Sequence, residues 1–113
     1  MPHCIIEYSK DLEGKIEPSA LISAVHKGAV ASELFDESHI KTRTRSYVNY
    51  QTGTGDNAFI HVTASILSGR TVEQKKSLSN SILAQLENLA ISAVIMTVQI
   101  CDIETETYSK VVL

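Results

Sequence analysis

The feature that most constrains this chain is the order in which its hydrophobic periodicity changes. Twice, a period-two alternation gives way to helical spacing and then returns. His3 to Ser9 mixes β-branched and polar residues and reads as a strand, ended by the polar pair Lys10-Asp11. Gly14 marks the turn that follows. Leu21, Ile22, Val25 and Ala29 then recur at helical spacing behind Pro18, whose missing N–H does no harm in a first turn. The spacing predicts a helix over Pro18 to Leu34, weakened by about 1 kcal/mol at Gly28. Alternation returns at His39, with Ile40, Thr42 and Thr44 on one parity and Lys41, Arg43 and Arg45 on the other, and runs on through Tyr47 to Tyr50. Three cations on one strand face read either as a solvated face or as part of an anion site.

The second half repeats the order. Gln51-Thr52-Gly53-Thr54-Gly55-Asp56-Asn57 is the strongest turn signal and is expected to be a hairpin loop joining the second strand to the third. Ala58 to Leu67 alternates, with Ile60, Val62, Ala64 and Ile66 sharing a face opposite Phe59, His61, Thr63 and Ser65. Thr71 with Gln74 makes a capping box, and Leu78, Ile82, Leu86 and Leu89 carry a helix over Val72 to Ala90. Ser92 to Ile103 is a strand, apolar on both faces, and is expected inside the sheet. Lys110 to Leu113 reads as a short closing strand, open to pairing with a neighbouring subunit's sheet.

Strand, helix, strand, then strand, helix, strand implies an α+β fold. The expected form is a two-layer sandwich of duplicated βαβ units, with a mixed four-stranded sheet and both helices on one face. A faint echo supports duplication: Leu12-Glu13-Gly14-Lys15 and Leu67-Ser68-Gly69-Arg70 each lead into a helix through a Gly and a cation. At 113 residues the expectation is one domain, 1–113. The sheet face without helices is expected to carry many apolar residues, which would drive a closed homo-oligomer with sheets meeting inside.

Charge narrows the partners. A formal charge of -3 supplies no basic field for nucleic acid or anionic membranes, so a bound anion needs a local cation cluster. Cys4 and Cys101 fit no metal spacing and read as buried free thiols, which suits a reducing cytosol. With no leader pattern ahead of Pro2 and no membrane-length apolar run, a cytoplasmic location is expected. His3, His26, His39 and His61 make no ligand set, so no metal is expected, and His61 reads as a hydrogen-bonded structural residue.

The remaining question is chemistry, and Pro2 raises it. A small second residue normally allows removal of Met1, which would leave a prolyl secondary amine at the chain start. A terminal amine titrates nearer neutrality than lysine, and burial or adjacent cations lower its pKa further. Such a group can take and give a proton. The other reading of Pro2 is that it only begins an edge strand, where a missing N–H is harmless.

Taken together, Pro2-His3-x-Ile5-x-Glu7-x-Ser9, Ile40-Lys41-Thr42-Arg43, Phe59-Ile60-His61-Val62 and Gly69-Arg70-Thr71-x-Glu73 resemble the 5-carboxymethyl-2-hydroxymuconate isomerase family of the tautomerase superfamily. The likeness runs over nearly the whole chain in order and spacing. It implies a trimer of duplicated βαβ units and a 1,3-allylic keto–enol tautomerisation without metal or cofactor. The family's catalytic N-terminal proline falls on Pro2, and its substrate-binding arginine on Arg70. A further family arginine falls on Lys41, which keeps the charge but not the bidentate fork. Arg43 has the same parity as Lys41 and is a candidate to share its role. The implied partner is a small unsaturated carboxylic acid of 2-hydroxymuconate type, in aromatic-compound catabolism. The alternatives are a tautomerase of another enol acid and a trimeric binding or scaffold protein without activity. The chain is shorter towards its C-terminus than that isomerase is expected to be.

Overall fold

The computed structural model describes residues 1–55 and 57–113. Six elements carry the fold: β1 (His3–Ser9), α1 (Pro18–Ala31), β2 (Lys41–Tyr47), β3 (Ala58–Leu67), α2 (Val72–Glu87) and β4 (Val94–Ile103). The sheet order is β2-β1-β3-β4. β1 runs parallel to β2, β3 runs parallel to β4, and the two pairs meet where β1 and β3 lie antiparallel. Each half is therefore a βαβ unit, and both helices cover the same side of one mixed four-stranded sheet.

Alternation sets the layers. Cys4, Ile6 and Tyr8 of β1 and Ile60, Val62, Ala64 and Ile66 of β3 are buried against the helices. Leu21, Val25 and Ala29 of α1 meet them with Leu78, Ile82 and Leu86 of α2, the residues whose spacing marks each helix. The helices touch most closely at Gly28, where a Cβ would lie 2.6 Å from the Ile82 Cα. Ser81 Oγ donates to the Gly28 carbonyl at 2.8 Å at the same crossing.

The helices are shorter than their patterns suggest. α1 stops at Ala31 because Ser32 Oγ takes the Ala29 carbonyl and Glu33 turns to φ 61°. α2 stops at Glu87, and Ala90 reaches φ 55°. A non-glycine residue in that region ends a helix as a C-terminal cap does. At the start of α2 the capping box forms as expected: Thr71 Oγ1 accepts from Gln74 N at 3.1 Å, and Thr71 N donates to Gln74 Oε1 at 2.9 Å.

Four expectations about the sheet need correction. β2 and β3 are not a hairpin, because β1 lies between them. The turn signal is used locally, as a Thr52–Gly55 bridge, and its Asp56 lies outside the described residues. β4 is an edge strand within the chain, not an inner one. Lys110–Leu113 forms no strand within the chain, and Val111, Val112 and Leu113 are exposed. The uncovered sheet face is mainly polar. In register across it stand Lys41, His3 and Ser65, then Arg43, Ile5 and Thr63, then Arg45, Glu7 and His61. These side chains bond to one another: Tyr47 OH donates to Glu7, and His61 is held by Thr97 at 2.6 Å and Gln99 at 2.9 Å. Among the described residues no helix is long and apolar enough to cross a membrane.

Candidate active site

The N-terminus begins β1 next to the edge strand β2, and both sides of it are fixed. Lys41 N donates to the Pro2 carbonyl at 3.0 Å, extending the β1–β2 ladder by one residue. The Pro2 side chain is fully buried. The strand parity explains this: Pro2 shares the helix-facing side with Cys4 and Ile6, whereas His3 faces the other way.

A cavity of about 220 Å³ opens beside the terminus, lined by Met1, Leu34, Phe35, Asp36, His39, Leu67 and Arg70. Three parts of the chain build it: the start of β1, the segment after α1, and the β3–α2 connection. Gly69 adopts φ 121°, a conformation that side-chain-bearing residues rarely take, and so turns the chain to present Arg70 just before the Thr71 cap. Arg70 is then held twice. Nη2 donates to the Leu34 carbonyl at 2.7 Å, and the guanidinium carbon lies 5.4 Å from the centre of the Phe35 ring. A flat cation on an aromatic face keeps its plane fixed and leaves its other donors to the cavity. Asp36 does not neutralise it. Its carboxylate takes Ser38 N at 2.9 Å and Ser38 Oγ at 2.7 Å, and those bonds hold its pKa below the ordinary carboxylate value.

The electrostatics favour a neutral amine. The terminal ammonium titrates below its ordinary 8.0, first because burial strips water from it, then because Lys41, Lys110 and Arg70 repel its charge. His3 is lowered for the same reasons: burial first, then Arg43, Lys41 and the terminus. The Cys4 thiol, buried directly after it, is pushed up to about 11 by desolvation.

The four residues singled out from sequence divide three to one. Met1 and Arg70 line the cavity with Pro2 buried directly behind Met1, and Lys41 is close enough for its charge to reach the terminal amine, while its Nζ donates to the His39 carbonyl at 3.1 Å. Arg43 sits apart on the uncovered sheet face, with Nη1 3.2 Å from His3 Nδ1, in a hollow with Ile5, Glu7 and Arg45. Lys110 was not legible as a site residue. It belongs to no periodic element, and it bears on the terminus only through its charge. Phe35, the platform under Arg70, gave no signal either, since it falls in a turn.

A larger cavity, about 810 Å³, is at the other end of β1, against Lys10, Asp11, Tyr47, Val48 and Tyr50. Phe59 packs beside Tyr47 and Tyr50, with ring centres 6.0 and 5.3 Å away, so these aromatics form a cluster under that groove. Among the described residues no group of His, Cys, Asp and Glu side chains could hold a metal ion.

Several solved structures share the fold. A crystal structure of a 5-carboxymethyl-2-hydroxymuconate delta-isomerase superposes with a TM-score of 0.82 at 18% identity, covering 99% of this chain and 88% of that one. A 5-carboxymethyl-2-hydroxymuconate isomerase from Deinococcus radiodurans R1 gives 0.81 at 22% identity, covering 96% and 87%. A fused 4-OT, described as a symmetric trimer, gives 0.73 at 20% identity, covering 90% and 85%. No curated protein matches the sequence significantly. The sequence profile of the 5-carboxymethyl-2-hydroxymuconate isomerase family matches residues 2–110, nearly the whole chain. The chain therefore belongs to the 5-carboxymethyl-2-hydroxymuconate isomerase family and is an isomerase.

Proposed function

We propose that this isomerase, with Met1 removed, shifts the enol of a 2-hydroxymuconate-type acid to its conjugated ketone through the Pro2 amine. The observation that carries the reading is the meeting of the chain terminus and Arg70 at one cavity, within reach of the Lys41 charge. The neutral ring nitrogen accepts the enol O–H proton. The oxygen electron pair becomes the new C=O, the double bond moves along the chain, and the ammonium returns the proton to carbon. Arg70 clasps a carboxylate and steadies the dienolate-like charge, because its plane is set before substrate arrives. The same cations disfavour the ammonium form, so binding and base strength are tuned together. Removing Met1 moves the amine one residue inward, to a position whose side chain is fully buried, where desolvation acts more strongly.

The wider assignment follows the same line. The substrate is a small unsaturated carboxylic acid from the breakdown of aromatic compounds, and the working form is a cytoplasmic homotrimer. β2 and β4 are both edges within the chain, and pairing with further copies would satisfy them.

The test compares processed protein with protein carrying an uncleaved N-terminal extension. The decay of the ultraviolet band of 2-hydroxymuconate is followed for both. Processed protein should turn the substrate over, and the extended form should lose at least about a hundredfold, the usual contribution of a positioned proton-transfer group. Equal rates would remove Pro2 from the mechanism. A trimer with no turnover of 2-hydroxymuconate or phenylenolpyruvate would instead favour a binding protein.

A further inference from the structure

Once Met1 is gone, Pro2 starts the chain, and the bond that ties its backbone to the sheet runs from Lys41 N to its carbonyl at 3.0 Å. Chain termini fray at little cost, and a base that swings loses its alignment with the proton it takes. The next residue supplies a firmer hold. His3 is gripped at both ring nitrogens by residues from different parts of the chain. Arg43 Nη1 of β2 lies 3.2 Å from Nδ1, and Tyr108 OH of the C-terminal segment lies 3.0 Å from Nε2. A guanidinium only donates, so Nδ1 accepts and the imidazole proton sits on Nε2, directed at the Tyr108 oxygen. The two rings also meet edge to face at 6.1 Å. Burial, then Arg43 and Lys41, keep the His3 pKa below its ordinary 6.5, which leaves Nδ1 free to accept near neutrality.

This clasp is joined to the other half of the site. β4 ends at Ile103, whose carbonyl accepts from Ser68 N at 2.9 Å, and Thr105 Oγ1 lies 3.1 Å from Ser68 Oγ. Ser68 opens the Ser68-Gly69-Arg70 turn that presents Arg70 to the cavity. The chain then turns through Thr105–Thr107 and delivers Tyr108 to His3. One short segment thus runs from the turn behind Arg70 to the residue behind the amine. Strand parity puts the clasp on the uncovered sheet face while Pro2 faces the helix layer, so neither Tyr108 nor Arg43 needs to touch a substrate beside Arg70.

We propose that Tyr108 and Arg43 are positioning residues that act through His3: their clasp fixes the direction of the Pro2 amine, and the Ile103–Tyr108 segment fixes its spacing from Arg70. The inference deepens the proposed function and rests on its choice of Pro2 as the base. It also gives a task to Arg43, which sits away from the cavity.

The test begins with Tyr108→Phe, which keeps the ring and loses the hydroxyl. In processed full-length protein it should lower kcat for 2-hydroxymuconate about tenfold with KM unchanged, within the roughly hundredfold that a displacement of about 1 Å can cost. Arg43→Met releases the other ring nitrogen and should cost a similar factor. The double variant should lose no more than either alone, because both act through one imidazole. Hydrogen exchange reads the same hold without turnover. The Lys41 amide, bonded to the Pro2 carbonyl, should exchange about fivefold faster in Tyr108→Phe, the worth of one hydrogen bond, while amides in the middle of β3 keep their rates. A raised KM with kcat intact, losses that multiply in the double variant, or an unchanged Lys41 amide would overturn the proposal. A processed wild type that turns nothing over would sink the Pro2 reading instead, and the Lys41 amide would still decide whether the clasp holds Pro2.

Discussion

At the scale of single residues, the chain uses burial in two opposite ways. Cys4 and the terminus are neighbours, and desolvation raises the thiol pKa to about 11 while lowering that of the ammonium. In both cases burial favours the uncharged form. The outcome for the thiol is inertness, and for the amine it is a shift towards the neutral form. Thr42 shows burial without a matching partner: its hydroxyl is buried on the helix-facing side of β2 and has no hydrogen bond. Thr42→Val keeps the shape and removes that desolvated oxygen. It is expected to stabilise the fold by about 1 kcal/mol in urea unfolding, and a loss of stability would show that the hydroxyl is satisfied in solution. Much of the candidate site was legible at this scale. Pro2 announces itself by position, whereas Arg70 is legible only through the family resemblance that Gly69-Arg70-Thr71-x-Glu73 helps to carry. Phe35 was not legible, because it reaches the site through a tertiary contact with Arg70 that leaves no local pattern. Arg43 shares its parity with Lys41, yet two residues along a strand carry it to a different partner, His3.

At the scale of elements, the helices are set by one close crossing. Gly28 is a poor helix former, and Gly28→Ala would gain about 1 kcal/mol of propensity. The new methyl would lie 2.6 Å from the Ile82 Cα, so the backbones would have to separate. Overpacking of that kind typically costs about 1–3 kcal/mol, before loss of the Ser81–Gly28 bond is counted. Gly28→Ala is therefore expected to lower the thermal midpoint, although the same change on an exposed helix face would raise it. A higher midpoint would mean that the helices can part freely. The type and order of the six elements follow from periodicity, which is a local property. Strand pairing is not local. Nothing in the Gln51–Asn57 turn says that β1 will occupy the seat between β2 and β3, and the apolar residues of β4 do not reveal that no further strand of the same chain lies beyond it.

At the scale of the whole molecule, the uncovered face changes the argument for assembly. It is crossed by His3–Arg43, Glu7–Tyr47 and His61–Thr97–Gln99 contacts, so it is not the oily surface expected from sequence. What the chain leaves unfinished is its edges and its tail: Ile95 at the start of β4 is 44% exposed, and Val111, Val112 and Leu113 are more so. If copies join along β4 with their uncovered faces inward, Ile95→Asp places a charge in the joint. Sedimentation should then show three copies of the 12.4 kDa chain for the wild type and a shift towards monomer for the variant. A wild type that sediments as a monomer would remove the trimer from the account.

The central claim is that the amine which begins the processed chain is shifted towards its neutral form, first by burial and then by the cations beside it, Arg70 among them. Proline labelled with ¹⁵N tests it most directly, since the sequence has only two prolines and Pro18, an amide, serves as an internal reference. In processed protein the Pro2 nitrogen should titrate below the ordinary terminal value of 8.0, staying neutral at pH values where an exposed terminus is protonated. Arg70→Gln should move that midpoint upward, as one of the repelling charges is lost. A Pro2 midpoint at or above 8.0, unmoved by Arg70→Gln, would contradict the account.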